Sequence, residues 1–383
     1  MRRLVLLPVV LTVVLLLLSP PALAGSLDES LQTVLDSLSI TEFQQAVDSM
    51  TAEPVDIRDT VLKLARGEVA WDFSKLMESL SGSLLSALTG SLWRISRVLV
   101  PAVLCGILMH MRGAFAGDAV TEISRYACFL LVAVFMVQDL TEHIALAQKT
   151  IDLLSGAMQN LFPLLLTLLA AVGGTASAAF FQPAVVAASG TMTSLIRHVT
   201  MPFAVGAAVL IILDHVSEKV HVGRLASLFK QMANWTLGVS FTVFIGVTMV
   251  QGLGTAAVDG VSIRTAKYAI DNFVPIVGGM FADTVDTLVG CSLLIKNALG
   301  TTGLMVLVGI CLTPMIQALC AVFIYRLCAA ILQPVAESSI VDCLYDFSHV
   351  LMLLFIIQLS ISAMFLLLVT QMLVVGNLTV MLR

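Results

Sequence analysis

The chain has 383 residues, of which 58% are hydrophobic and only 12% charged. Soluble domains run at about 45–50% apolar and about 25% charged, so ordinary globular packing is excluded, as is disorder, which needs low hydrophobicity. The 20 bases and 25 acids leave a net −5, which excludes a nucleic-acid binder with a large basic face and leaves a polytopic membrane protein.

Residues 1–24 read as a cleaved secretory signal. Arg2 and Arg3 form the positive start, Leu4 to Leu18 the apolar stretch, and Ala22-Leu23-Ala24 the small-x-small cleavage pattern. The pair Pro20-Pro21 just before that pattern favours cleavage over an uncleaved first helix. The mature chain is then expected to begin near Gly25, outside the cytoplasm.

Residues 25–84 form an exported, acidic segment with helical periodicity. Its first 59 residues hold 11 acids against 4 bases, so the charge asymmetry of the whole protein sits here. Leu27, Leu31, Val34, Leu35 and Leu38 repeat at the spacing of one helix face, as do Phe73, Leu76, Met77, Leu80 and Leu84, with Pro54 between them. Two readings stand: an amphipathic pair lying on the membrane or on the later helices, or a docking surface for another exported protein.

Residues 85–383 are the membrane body. Apolar runs near 95–111, 126–147, 161–181, 199–213, 235–253, 299–319 and 348–375 are long enough to span. A further run near 318–335 contains Arg326. The fold class is therefore all-α, with about seven transmembrane helices. The stretch 272–297 is apolar but interrupted by Pro275, Gly278 and Gly279, as in a re-entrant or discontinuous helix. Between two spans, 217–234 carries Val220, Leu225, Leu228, Phe229 and Met232 on one side and Lys219, Arg224 and Lys230 on the other. It reads as an interfacial amphipathic helix. Seven cysteines lie in or near apolar runs with no C-x-x-C pair, the usage of small buried hydrophobes.

Ionisable groups inside apolar stretches are the strongest pointers to a site, because each is costly in hydrocarbon unless paired or hydrated. Asp283 and Asp286 are three apart on one helical face, Lys296 follows, and Arg326 stands alone among apolar neighbours. Arg94 and Arg97 open the first span, and Asp139 and His143 close the second. The group reads either as an ion or proton path or as interhelical salt bridges. No zinc-protease, nucleophile-elbow or P-loop motif occurs, so no catalytic residue, metal or cofactor is expected.

From Asp259 the chain becomes specific. The strings Asp259-Gly-Val-Ser-Ile-Arg-Thr-Ala-Lys-Tyr-Ala-Ile, Phe273-Val-Pro-Ile-Val-Gly-Gly, Val285-Asp-Thr-Leu-Val-Gly and Leu294-Ile-Lys-Asn-Ala-Leu-Gly follow in order. With Leu225-Ala-Ser-Leu-Phe-Lys, Trp235-Thr-Leu-Gly, Tyr325-Arg-Leu and Leu332-Gln-Pro-Val, they resemble the stage III sporulation protein AE family from about residue 180 to the C-terminus. The resemblance implies a non-enzymatic, multi-pass protein of the mother-cell membrane around the engulfed forespore. It would work with the other stage III A proteins and, directly or indirectly, stage II sporulation protein Q in a transenvelope channel-like complex. The candidate pathway or interface residues are Asp283, Asp286, Lys296, Arg326, Arg264, Lys267, Gly278 and Gly279. The alternative is an ion-coupled secondary transporter or permease using Asp283 and Asp286.

Overall fold

A computed structural model of the chain describes residues 40–50, 56–68, 96–107, 118–216, 221–273 and 278–381, with scattered positions between 32 and 93. The signal segment 1–24 lies outside the described residues. Every regular element among them is helical, as the composition requires. They are α1 (Ile40–Met50), α2 (Ile57–Ala65), α3 (Ser96–Ile107), α4 (Asp118–Ala171) and α5 (Thr175–Leu195), then a π-helical turn (Ile196–Thr200). After it come α6 (Met201–Val216), α7 (Gly223–Phe273), α8 (Gly278–Leu332) and α9 (Ser338–Met381).

The two short helices use their apolar stripes to dock. Asp56 caps α2 by accepting from the Asp59 amide, and the i, i+4 pair Asp59–Lys63 closes at 2.5 Å on its outer face. That carboxylate holds the Lys63 ammonium above its ordinary range. Phe43 and Val47 of α1 and Ile57 and Val61 of α2 are buried in the common core. Helix α1 packs on α4 and α2 on α8. Apart from Leu35, which is buried, the stripes expected at Leu27–Leu38 and Phe73–Leu84 lie outside the described residues; the apolar faces of α1 and α2 between them rest on the later helices, with Asp48, Asp56, Asp59 and Glu68 facing out.

Among the described residues, five helical stretches are long and apolar enough to cross a membrane: Ile123–Ala171, Thr175–Val216, Gly223–Val250, Thr287–Leu332 and Ser338–Met381. The hydropathy runs suggested about seven spans. The difference has two sources. The polar residues from Asp139 to Asp152 split the hydropathy of α4 without ending it, so 126–147 and much of 161–181 share one helix, and of the run 95–111 only Ser96–Ile107 is described. The further run 318–335 is part of α8 as far as Leu332. Helix α9 is the hub, in contact with α4, α6, α7 and α8. A helix apolar all round belongs inside a bundle, and α9 buries Phe347, Leu354, Ile357, Ile361, Leu368 and Met372.

Two local expectations change. The segment 223–234 is not a separate interfacial helix, because no breaker separates Leu225 from Val250 and the helix runs on to Phe273. Its first turns continue the apolar stripe of α7, with Leu225, Leu228 and Met232 exposed and Phe229 packed edge-on against Phe203. In 272–297, the interruption falls between α7 and α8, whose first residues are Gly278 and Gly279. Pro275 lies outside the described residues.

Close backbone approach fixes where α3 sits. A Cβ at Gly106 would meet the Val335 carbonyl oxygen at 2.6 Å, whereas one at Gly309 would meet open space. Gly106→Ala should lower the thermal midpoint of the detergent-solubilised protein by an amount equivalent to about 1–3 kcal/mol, as overpacking against backbone does. Gly309→Ala should be neutral or stabilising by up to about 1 kcal/mol. Equal midpoints for the two variants would refute this seat for α3.

Candidate functional site

Both ends of the α5–α6/α7 pair are closed by carboxylates. Asp214, at the end of α6, accepts hydrogen bonds from the Val222 and Gly223 amides at 2.6 and 2.7 Å, which start α7. At the far end Asp259 of α7, 1% exposed, accepts from the Ala176 and Ser177 amides, both at 2.9 Å, which start α5. Each rod thus caps the N-terminus of its antiparallel neighbour, where the helix dipole favours negative charge. Gly173, at φ 98°, supplies the left-handed turn that delivers α5 to Asp259. The caps are about 55 Å apart along the helices.

The α8/α9 contact carries the buried cation. Lys296 is 1% exposed, and its ammonium donates to the Leu373 carbonyl at 3.1 Å. Its methylenes lie across Gly376, where any Cβ would collide with the Nζ. Nearby on the same two helices, the amide oxygens of Asn297, Gln371 and Asn377 are buried without a hydrogen-bond partner. At the other end of α8, Arg326 donates from Nε to Ser348 Oγ at 3.3 Å. Lys296 and Arg326 are therefore separated by about 45 Å of helix and serve different levels of the bundle.

The remaining candidates are located by backbone alone. Arg264 and Lys267 lie on α7, and Asp283 and Asp286 on α8, two turns or more before Lys296; their side chains are outside the described residues. Asp139 and His143 are both buried and lie 3.7 Å apart, one turn apart within α4 rather than at its end.

Sequence reasoning missed three features. Asp214 and Asp259 act as caps, a role hidden because their partners lie in other helices. Asp152 of α4 forms an ion pair with Arg197 in the π turn, 45 positions away. Nearby, Arg97 meets Glu142 at 4.0 Å. Only a charge interrupting an apolar run could have flagged them.

The family model described as stage III sporulation protein AE matches residues 55–376. The chain belongs to the stage III sporulation protein AE family. A protein of Bacillus subtilis (strain 168) named stage III sporulation protein AE is 32% identical over 330 residues, covering 86% of this chain and 83% of that protein. No solved structure matches the chain. Family membership, together with the apolar helices, makes this a multi-pass membrane protein of sporulation. Asp259, Lys296 and Arg326 all fall within the matched region.

Substitutions at two places probe the geometry. Asp259→Ala leaves the buried Ser177 amide without an acceptor, at a cost of about 1–3 kcal/mol, and the part-buried Ala176 amide with it at a smaller cost, whereas Asp259→Asn keeps one oxygen. Amide exchange at Ala176–Ala179 should accelerate strongly in the first variant and modestly in the second; unchanged exchange in both would remove the cap. Gly376→Ala should destabilise the protein through the displaced ammonium, and Lys296→Met should rescue it. Additive effects in that double-mutant cycle would show that the two residues do not interact.

Proposed function

We propose that the protein is a non-enzymatic subunit of a channel-like or secretion-like complex between mother cell and forespore, required for endospore development after engulfment. The observation that carries this reading is family membership across 55–376. The protein would reside in the mother-cell (outer forespore) membrane. Its partners would be the other stage III A sporulation proteins and, directly or indirectly, stage II sporulation protein Q. Residues 1–24 would be removed on export, 25–84 would lie outside the cytoplasm, and 85–383 would form the membrane domain. The outward charges of α1 and α2 support a partner met on the exported side, since their apolar faces are already occupied.

A clean deletion should leave vegetative growth intact and arrest development after engulfment. Normal spore yield would sink the proposal.

The second reading is an ion-coupled transporter or permease. It is favoured by Lys296, a buried cation on the helix that carries Asp283 and Asp286. On that reading Asp283→Asn with Asp286→Asn abolishes spore formation while membrane insertion and assembly persist. Loss of assembly would assign the two carboxylates to packing, with Arg264, Lys267, Gly278 and Gly279 as neighbours in the same interface region.

A further inference from the structure

The outer surface of the bundle is not uniform. On α7, exposed apolar side chains run from Leu225 through Trp235 and Val243 to Val250, and on α8 from Ile331 through Phe323 to Met305. Each stripe covers about 38 Å of helix, comparable with a bilayer of about 30 Å of hydrocarbon plus part of its interfacial layers. No charged residue occurs in 231–258 of α7, 297–325 of α8 or 350–381 of α9. These helices are built to face lipid or each other.

The surface of α4 differs. Its exposed large apolar residues end at Val137, and Glu142, Lys149 and Asp152 follow, all solvent-facing. Arg197 and His198 of the π turn join them, with Asp152 59% and Arg197 41% exposed despite their ion pair. Register fixes the depth of this patch. Helix α4 runs antiparallel to α8, with Arg125 against Glu337 at 3.4 Å near one end and Leu161 against Gly303 near the other. Residues 142–152 therefore lie level with the middle of α8, near Pro314 and Ala318, inside its uncharged stretch. The charges are at the depth of the hydrocarbon and on the outside of the bundle.

Lipid cannot cover such a face cheaply; ionised side chains at this depth turn toward protein or water. The π turn sharpens the effect, since it buries Ile196 and Thr200 and leaves Arg197, His198 and Val199 outside. Resting on the multi-pass reading above, we propose that the face formed by α4 and the π turn docks a second copy of this chain within the membrane. Its charges identify the occupant. Arg97, Lys149 and Arg197 stand among Glu142 and Asp152, so the face carries both signs with an excess of only one base and can complement itself, as a two-fold interface requires. In the paired state, Asp152 and Arg197 of both copies join one four-charge network that shields every member from lipid.

The test uses the full-length chain in nanodiscs, with oxidative cross-linking of introduced cysteines. Lys149→Cys should yield mostly disulfide-linked dimer. Val243→Cys, on the lipid-type face of α7, and the unaltered chain should yield no disulfide-linked dimer, although both still pair. Asp152→Leu with Arg197→Leu, checked for unchanged helicity and thermal midpoint, should dissociate the dimer in single-particle mass measurements. A monomer at all concentrations, or cross-linking at position 243 rather than 149, would overturn the proposal. So would reaction of Cys at 149 with a water-soluble maleimide in that monomer, which would put the patch in water. The readout needs no sporulating cell. Failure of the membrane reading itself would appear separately, as release of the chain by carbonate extraction.

Discussion

A helix that begins packed against a neighbour has little water to satisfy its first amides, and this constraint organises the fold. The chain meets it by exchange. Asp214 closes α7 and Asp259 closes α5, each reaching across from the neighbouring rod. Because both caps must be made together, the antiparallel register is fixed at two points, and the Phe203–Phe229 contact agrees with it in between. Sliding by one turn would take four amides away from their acceptors, that of Ser177 fully buried. Moving about 5.4 Å along the axis is therefore a discrete step rather than a gradual adjustment.

With that frame set, α9 can be apolar all round and still be specific. Its position is read by close approach: the Leu373 side chain lies over Gly300, and Gly376 admits Lys296. The lysine is the exception that defines the contact. A buried ammonium with a single carbonyl partner is expensive, and its neighbours Asn297, Gln371 and Asn377 also lack partners for their amide oxygens. The cations of the α8/α9 seam thus sit at the level of Lys296 and at the level of Arg326, and the stretch of α9 between is apolar but for neutral groups such as the buried Gln358 and Ser362.

The class of the fold was legible because composition and periodicity are local: Leu, Val and Ala runs specify helix and membrane together. Helix boundaries were less legible. Pro163, Pro183 and Pro314 all sit inside helices, while Gly173-Gly174 ends one. The difference is the distant acceptor at Asp259, which no window of sequence contains. Hydropathy also responds equally to a lipid-facing residue such as Val243 and a core residue such as Leu354, so it cannot say which runs share a helix. The strings that carried the family resemblance fared better. They span Asp259 and Lys296, two groups whose burial now has a geometric reason, although the reading of Asp259 as a cap required its partners.

The distribution of charge also bears on what kind of protein this is. A solitary pump would be expected to gather its ionisable groups on an internal path and present lipid with an apolar exterior. Here Asp139 and His143 are internal, but Arg97, Glu142, Asp152 and Arg197 are each about half exposed. Helices α1 and α2 repeat the arrangement, with apolar stripes buried and acids turned outward. Two separate surfaces thus carry charge that the chain itself leaves partly uncovered, one on α4 and the π turn and one on α1 and α2. That arrangement suits a subunit with neighbours on both sides, and it supports assembly over self-contained transport.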